Sequence, residues 1–374
     1  MRERERGRPT VTTAQDESIR ATPRGSAPVP LSVLDLAPVG SGRTARDALR
    51  STVDLARLTE RRGYHRFWVA EHHSMPGIAS SSPAVILAHL AAHTDRIRLG
   101  SGGVMLPNHA PLVIAEQFGT LEALAPGRVD LGLGRAPGTD GATAAALRRG
   151  ESAEGADDFP RQLAELIRFL DDDFPEGHPC AGIHAVPGPV QGRVAGGVQR
   201  ADRPSVWLLG SSGFSARLAG ALGLPFSFAH HFSAANTVPA LELYRESFRP
   251  SAVLDRPYAK IGVQVVAADS AEQARRQVLT GSLAMLRLRM GRPGLVPTPE
   301  EAEEHRLTPV EQEFIQDRLR NVVFGTKDEV RAGLDALVAR TGADELMLTA
   351  NVHGAEARLR SYDLVADAYG LPRG

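Results

Sequence analysis

Three short stretches carry residues that could do chemistry. "EHH" at 71–73 closes the apolar run "RFWVA", "SSG" at 211–213 closes "SVWLLG", and "HH" at 230–231 closes "PFSFA". Neighbouring side chains on an extended segment point to opposite faces, so each histidine pair offers one imidazole to a given pocket. Metal-dependent hydrolases want two inward histidines per strand together with carboxylates. The adjacent spacing supplies one, and no inward aspartate set accompanies it, so no metal is expected. A single imidazole, with an ordinary pKa near about 6.5, is suited instead to giving or taking a proton at neutral pH.

The second stretch suggests an anion cradle. "LLGSSGFSARLAGALG" reads as a strand, a Ser-Ser-Gly turn and a helix, so backbone N–H groups and the hydroxyls of Ser211, Ser212 and Ser215 converge. Arg135, at the end of the neighbouring run "VDLGLGR", is placed to add a countercharge. The competing reading is plain N-capping by Ser212 and a surface arginine. Gly102 and Gly103 interrupt "IRLGSGGVML", where glycine marks either a β-bulge or the close approach of a flat ligand to the backbone.

These residues need a scaffold that gathers strand ends. Apolar runs at 31–39, 66–73, 97–106, 129–138, 205–212, 225–232, 258–269 and 343–350 alternate with amphipathic stretches. That is a strand-then-helix rhythm repeated eight times, which predicts an α/β fold: a (β/α)₈ TIM barrel with its site at the strand C-termini. Insertions are expected after strands 4 and 7, at 139–156, 175–203 and 285–320, the last as a mobile cover for the site. A doubly wound sheet is the alternative, but "LAPVGSGRTA" after the first strand is a poor match to a dinucleotide fingerprint. Residues 1–28, alternating Arg and Glu and lacking an apolar core, read as a disordered tail ahead of a single domain at 29–374.

Bulk properties narrow the class. The 374 residues are 42% hydrophobic, enough for a large core, and the formal net charge of −1 offers no global field for nucleic acid or an anionic membrane. The one cysteine, Cys180, excludes an intrachain disulfide. No apolar run approaches the roughly 20 residues that span a bilayer. The expectation is a cytoplasmic protein acting on a small molecule.

Taken in order, "WVAEHH", "GSGGVMLPNHAPLVIAEQFGTLEALAPGRVDLGLGRAPG", "LLGSSGFSARLAGALGLPFSFAHHF" and "VFGTKDEVRAGLDALVARTGADELMLTA" resemble the bacterial-luciferase-like flavin-dependent oxidoreductases. The resemblance runs from about residue 30 to the C-terminus and implies the same barrel. It implies that Gly102-Gly103 matches a non-prolyl cis peptide beside the flavin ring. It also places Arg135, Ser211, Ser212 and Ser215 around the flavin phosphate, and His72 at the catalytic histidine. His73 is then structural, and His230 and His231 are candidates for the substrate side. The implied activity is a monooxygenase using reduced FMN from a separate flavin reductase, with O₂ adding at the flavin C4a carbon. A homodimer is implied too. F420-dependent oxidoreduction on the same barrel, and non-catalytic flavin binding, are the alternatives. The chain departs from the luciferase catalytic subunit at Ser211, where that protein has a glutamate.

Overall fold

The computed structural model describes residues 19–136, 138–147, 158–194 and 203–373. Its strands are β1 (Leu31–Asp35), β2 (Arg66–Val69), β3 (Arg98–Ser101), β4 (Val104–Met105), β5 (Val129–Gly134), β6 (Ser205–Gly210), β7 (Phe226–Phe228), β8 (Ala259–Ala267), β9 (Val323–Gly325) and β10 (Glu345–Thr349). The hydrogen-bonded order is β10-β1-β2-β3-β5-β6-β7-β8, and β8 pairs back onto β10, with Leu346 opposite Ile261. All these pairings are parallel. The result is a closed eight-stranded barrel, as the eightfold alternation predicts.

The helices are α1 (Ala45–Arg61), α2 (Pro83–Ala91), α3 (Pro111–Leu124), α4 (Gly141–Leu147), α5 (Phe159–Asp171), α6 (Pro189–Val194) and α7 (Gly213–Leu222), followed by α8 (Thr237–Ser247), α9 (Ala271–Arg289), α10 (Pro299–Glu304), α11 (Pro309–Arg320), α12 (Lys327–Thr341) and α13 (Ala355–Ala368). Their starts follow local chemistry. At α1 the Thr44 hydroxyl accepts from the Asp47 N–H while the Asp47 carboxylate accepts from the Thr44 N–H, satisfying two helix-end donors. Among the described residues, none of the helices is long and apolar enough to cross a membrane.

Period-2 alternation divides each strand between two interiors. One set, including Phe67, Leu131 and Val263, is wholly buried against the helices. The other points into the barrel and is unusually polar at its lower end. Arg66 is held by Asp130 at 2.8 Å and Glu345 at 2.9 Å, and Arg98 reaches Asp130 at 2.7 Å. The Lys260 ammonium sits 3.0 Å from the Trp68 ring centroid and 3.8 Å from that of Trp207. Burial, followed by the Arg66 charge, pushes Lys260 well below an ordinary lysine.

Several expectations are revised by packing. The tail read through residue 28 is ordered from residue 19: Ile19 is buried and its carbonyl accepts from Arg66 at 2.6 Å, beneath the barrel floor. Residues 1–18 lie outside the described residues, as do 148–156 of the first insertion and 195–202 of the second. The run at 97–106 is not one strand. It breaks at the Gly102–Gly103 peptide, which is cis, and β4 then pairs with β5. The 285–320 stretch, expected as a mobile loop, contains two capped helices. Thr298–Glu301 and Thr308–Glu311 form their capping boxes, and Ile315 of α11 packs with Leu283 and Leu286 of α9. An additional strand, β9, extends the sheet from β8 and leads into α12, which the eightfold count did not separate.

Candidate active site

The inward column of β2 runs Arg66, Trp68, Ala70, His72, and the last three line one cavity of about 300 Å³ at the C-terminal mouth of the barrel. Regular strand geometry stops at Val69, yet the alternation persists far enough to aim His72 inward. Glu71 and His73 take the other face, where the Glu71 carboxylate accepts from His73 Nε2 at 2.9 Å and from His109 Nε2 at 2.8 Å. The Met105 N–H adds a third bond to it, at 3.1 Å. Glu71 therefore ties the loop after β2 to the segment around β4 and turns His72 toward the cavity. Nothing in the sequence singled out His109 as a partner, because the pairing spans 38 residues.

His72 Nδ1 is enclosed and has no hydrogen-bond partner among the described residues. Burial pushes the imidazole down to about 4, the Glu71 carboxylate pulls the other way, and His73 adds to the fall. The ring is neutral at pH 7. His231 also lines the cavity. It too lies at about 4, with burial the main cause and a contact from Nδ1 to the Gly262 carbonyl at 2.9 Å opposing it. His230, expected beside it on the substrate side, turns away instead. It is buried and bonded through Nδ1 to Thr237 Oγ1 at 2.7 Å.

The same cavity gathers Gly102, Arg135, Ser211, Ser212 and Ser215. Ser212 stands at the N-cap position of α7, but its side chain makes no capping bond, and the first turn carries no acid. The Ser212 hydroxyl is therefore not occupied as a cap, and the three serines line the cavity beside a helix N-terminus with a favourable dipole. Arg135 lies over the Phe214 ring, 4.4 Å from its centroid, and carries the only formal charge among the described lining residues. Gly210 is required by packing here, since a Cβ would come within 2.6 Å of Ser215 Cβ.

Gly102 forms part of the wall beside Leu34, Trp68, Leu209, Phe228 and Met347. Gly102 lines the cavity without a side chain, and a Cβ there would meet Leu34 Cδ1 at 2.6 Å. Gly103 does not line it. A Cβ there would meet the Gly132 carbonyl oxygen at 2.8 Å, so that glycine answers the close approach of β5. An apolar, glycine-faced wall, a cationic and hydroxyl-rich end and two neutral imidazoles together suit a flat ring system bearing a phosphate.

Comparison with known proteins agrees with this arrangement. The family model described as "Luciferase-like monooxygenase" matches residues 29–345. A protein of that same name from Escherichia coli (strain K12) is 47% identical over 339 residues, covering 91% of this chain and 96% of its own. An N-acetyl-S-alkylcysteine monooxygenase from Bacillus subtilis (strain 168) is 36% identical over 340 residues, covering 90% and 97%. Among solved structures, apo-MsnO8 superposes with a TM-score of 0.80 at 37% identity, covering 92% of this chain and 98% of that one. The oxygenating constituent of 3,6-diketocamphane monooxygenase from Pseudomonas putida, solved in complex with FMN, shares the fold at TM-score 0.66 and 18% identity, covering 90% and 96%. With the barrel, its cavity and these matches in agreement, the chain belongs to the luciferase-like monooxygenase family.

Proposed function

We propose that this protein is a two-component monooxygenase that binds reduced FMN from a separate flavin reductase and oxygenates a small organic substrate. The observation that carries this reading is the convergence of Arg135, Ser211, Ser212, Ser215, Gly102 and His72 on one cavity. The residues present fit the cofactor. Arg135, the three serines and the amide end of α7 would hold its phosphate, and Gly102 would let its ring lie against the backbone. Reduced flavin, when bound, supplies the electrons that activate O₂ for transfer of one oxygen atom. The chain's own work is to exclude water with Leu34, Trp68, Phe228 and Met347, and to move a proton through the His72 imidazole. The substrate class named for the Bacillus subtilis relative, N-acetyl-S-alkylcysteines, is the first to try.

The test is an anaerobic titration of the purified protein with reduced FMN and, separately, reduced F420, followed by mixing with O₂ and substrate. Reduced FMN should bind, and oxygenated product should form at a rate that His72→Ala lowers by about 10²–10⁴-fold with flavin affinity retained. Binding of F420 in place of FMN would transfer the protein to the deazaflavin enzymes. Reduced FMN bound with no product from any substrate would reduce it to a flavin carrier, and unchanged turnover in His72→Ala would remove His72 from the chemistry.

A further inference from the structure

Beside the cavity, α11 delivers a cation that the reading above does not use. Ile315, three residues before Arg318 on the same helix face, is buried against α9, so the Arg318 side chain is carried inward. Its NH2 donates to Gln264 Oε1 at 2.5 Å. Gln264 continues the inward column of β8, Lys260–Gly262–Gln264, one step above Gly262, which lines the cavity. A guanidinium has no acceptor, so this bond fixes the Gln264 amide with its oxygen toward Arg318 and its NH₂ group turned elsewhere.

Two enclosed donors are then left over. Arg318 Nε and Gln264 Nε2 both lack an acceptor among the described residues. No carboxylate among the described residues pairs with Arg318; burial alone acts on its guanidinium, pushing it down to about 10. Neither Arg318 nor Gln264 lines the cavity itself; the corner adjoins it through Gly262, one inward step before Gln264. The Gly262 carbonyl lies 2.9 Å from Nδ1 of the cavity-lining His231. A partly buried cation whose enclosed Nε has no acceptor among the described residues is costly to maintain, and an incoming oxyanion would satisfy both donors with charge-assisted bonds.

We propose that Arg318 and Gln264 bind the carboxylate of the substrate, so that this enzyme selects small organic acids and holds them by the acid group at the β8 side of the cavity. The proposal rests on the monooxygenase reading for the word substrate. It assigns a second oxyanion position, separated by β7 from the phosphate position at the β6 end. A cofactor phosphate and a substrate carboxylate share this chemistry, and the experiment separates them.

Calorimetric titrations would use N-acetyl-S-methylcysteine, benzoate and octanoate, each against its own uncharged carboxamide, with and without FMN. At least one acid should bind roughly tenfold to a hundredfold tighter than its carboxamide. Arg318→Met should abolish that preference, Arg318→Lys should keep part of it, and neither should alter FMN affinity. Gln264→Glu guards against a folding artefact: it gives Arg318 an internal partner, so it should abolish acid preference without lowering the melting temperature. Acid preference that depends on Arg318 in a protein failing to bind FMN would sink the flavin reading and leave this corner standing. Equal binding of every acid and carboxamide would overturn the proposal, as would weakened FMN binding in Arg318→Met, which would assign the corner to the cofactor.

Discussion

The Glu71 carboxylate and the His109 imidazole lie 2.8 Å apart, and through them two loops of the barrel mouth are joined behind the cavity. Burial acts first to raise the Glu71 carboxyl, but hydrogen bonds and charge from His109, then His73 and the Met105 N–H, outweigh it and hold the group below its ordinary value. Glu71→Ala leaves both imidazoles and the Met105 N–H without their acceptor. It should cost roughly 2–4 kcal/mol in urea unfolding and weaken FMN binding by releasing the loop that aims His72. Because the folded carboxyl titrates below the unfolded one, its contribution is present above the unfolded value. It is lost as pH falls through the folded value. Equal stability of wild type and Glu71→Ala at pH 7 would show that the hub is not holding the loops.

Buried histidines make the protein sensitive to mild acid. Burial pushes His65 down to about 3, and His72, His230 and His231 down to about 4. Unfolded imidazoles protonate near about 6.5, so between that pH and about 4 the unfolded chain binds more protons. Stability should therefore be insensitive to these groups above about pH 7 and fall steadily as pH drops from about 6.5 toward 4. Unfolding free energies measured at several pH values should give a slope that His230→Asn reduces by close to one proton.

Arg135 and the α7 terminus should recognise the phosphate and not the ring. Arg135→Ala should weaken FMN by roughly tenfold to a hundredfold and leave riboflavin affinity unchanged. Fluorescence titration with both flavins separates the two effects, and a parallel loss for riboflavin would mean that Arg135 supports the cavity wall through its contact with Phe214.

A side chain at Gly102 would press on two side chains of the cavity wall. In Gly102→Ala the added methyl would lie 2.6 Å from Leu34 Cδ1 and 3.1 Å from Trp68 Cε3, both on residues that line the cavity. The overpacking should cost roughly 1–3 kcal/mol and lower flavin affinity by displacing the wall. Gly141→Ala, whose added Cβ meets nothing within 4 Å, is the matched control and should be silent in both assays.

Much of this was determined locally and was therefore legible. Alternating apolar and amphipathic runs dictated the barrel, because a strand buries by period 2 and a helix by 3.6. The same period separated His72 from Glu71 and His73, and it placed Gly102, Arg135 and the three serines at strand ends, hence at one rim. The capped starts of α10 and α11 were written in the sequence as well, in Thr298–Glu301 and Thr308–Glu311, although that stretch read as a mobile loop.

What the tertiary structure alone decided are pairings between residues far apart in the chain. Glu71 meets His109, Arg66 meets Glu345, Ile19 closes the floor, and Arg318 reaches Gln264 across 54 positions. His230 and His231 are chemically identical neighbours, and only packing against Thr237 and Gly262 gives one to the core and the other to the cavity. Local sequence sets which face a side chain takes. Which distant group waits on that face depends on barrel closure and on how the inserted helices dock, and there burial rather than residue type determines charge.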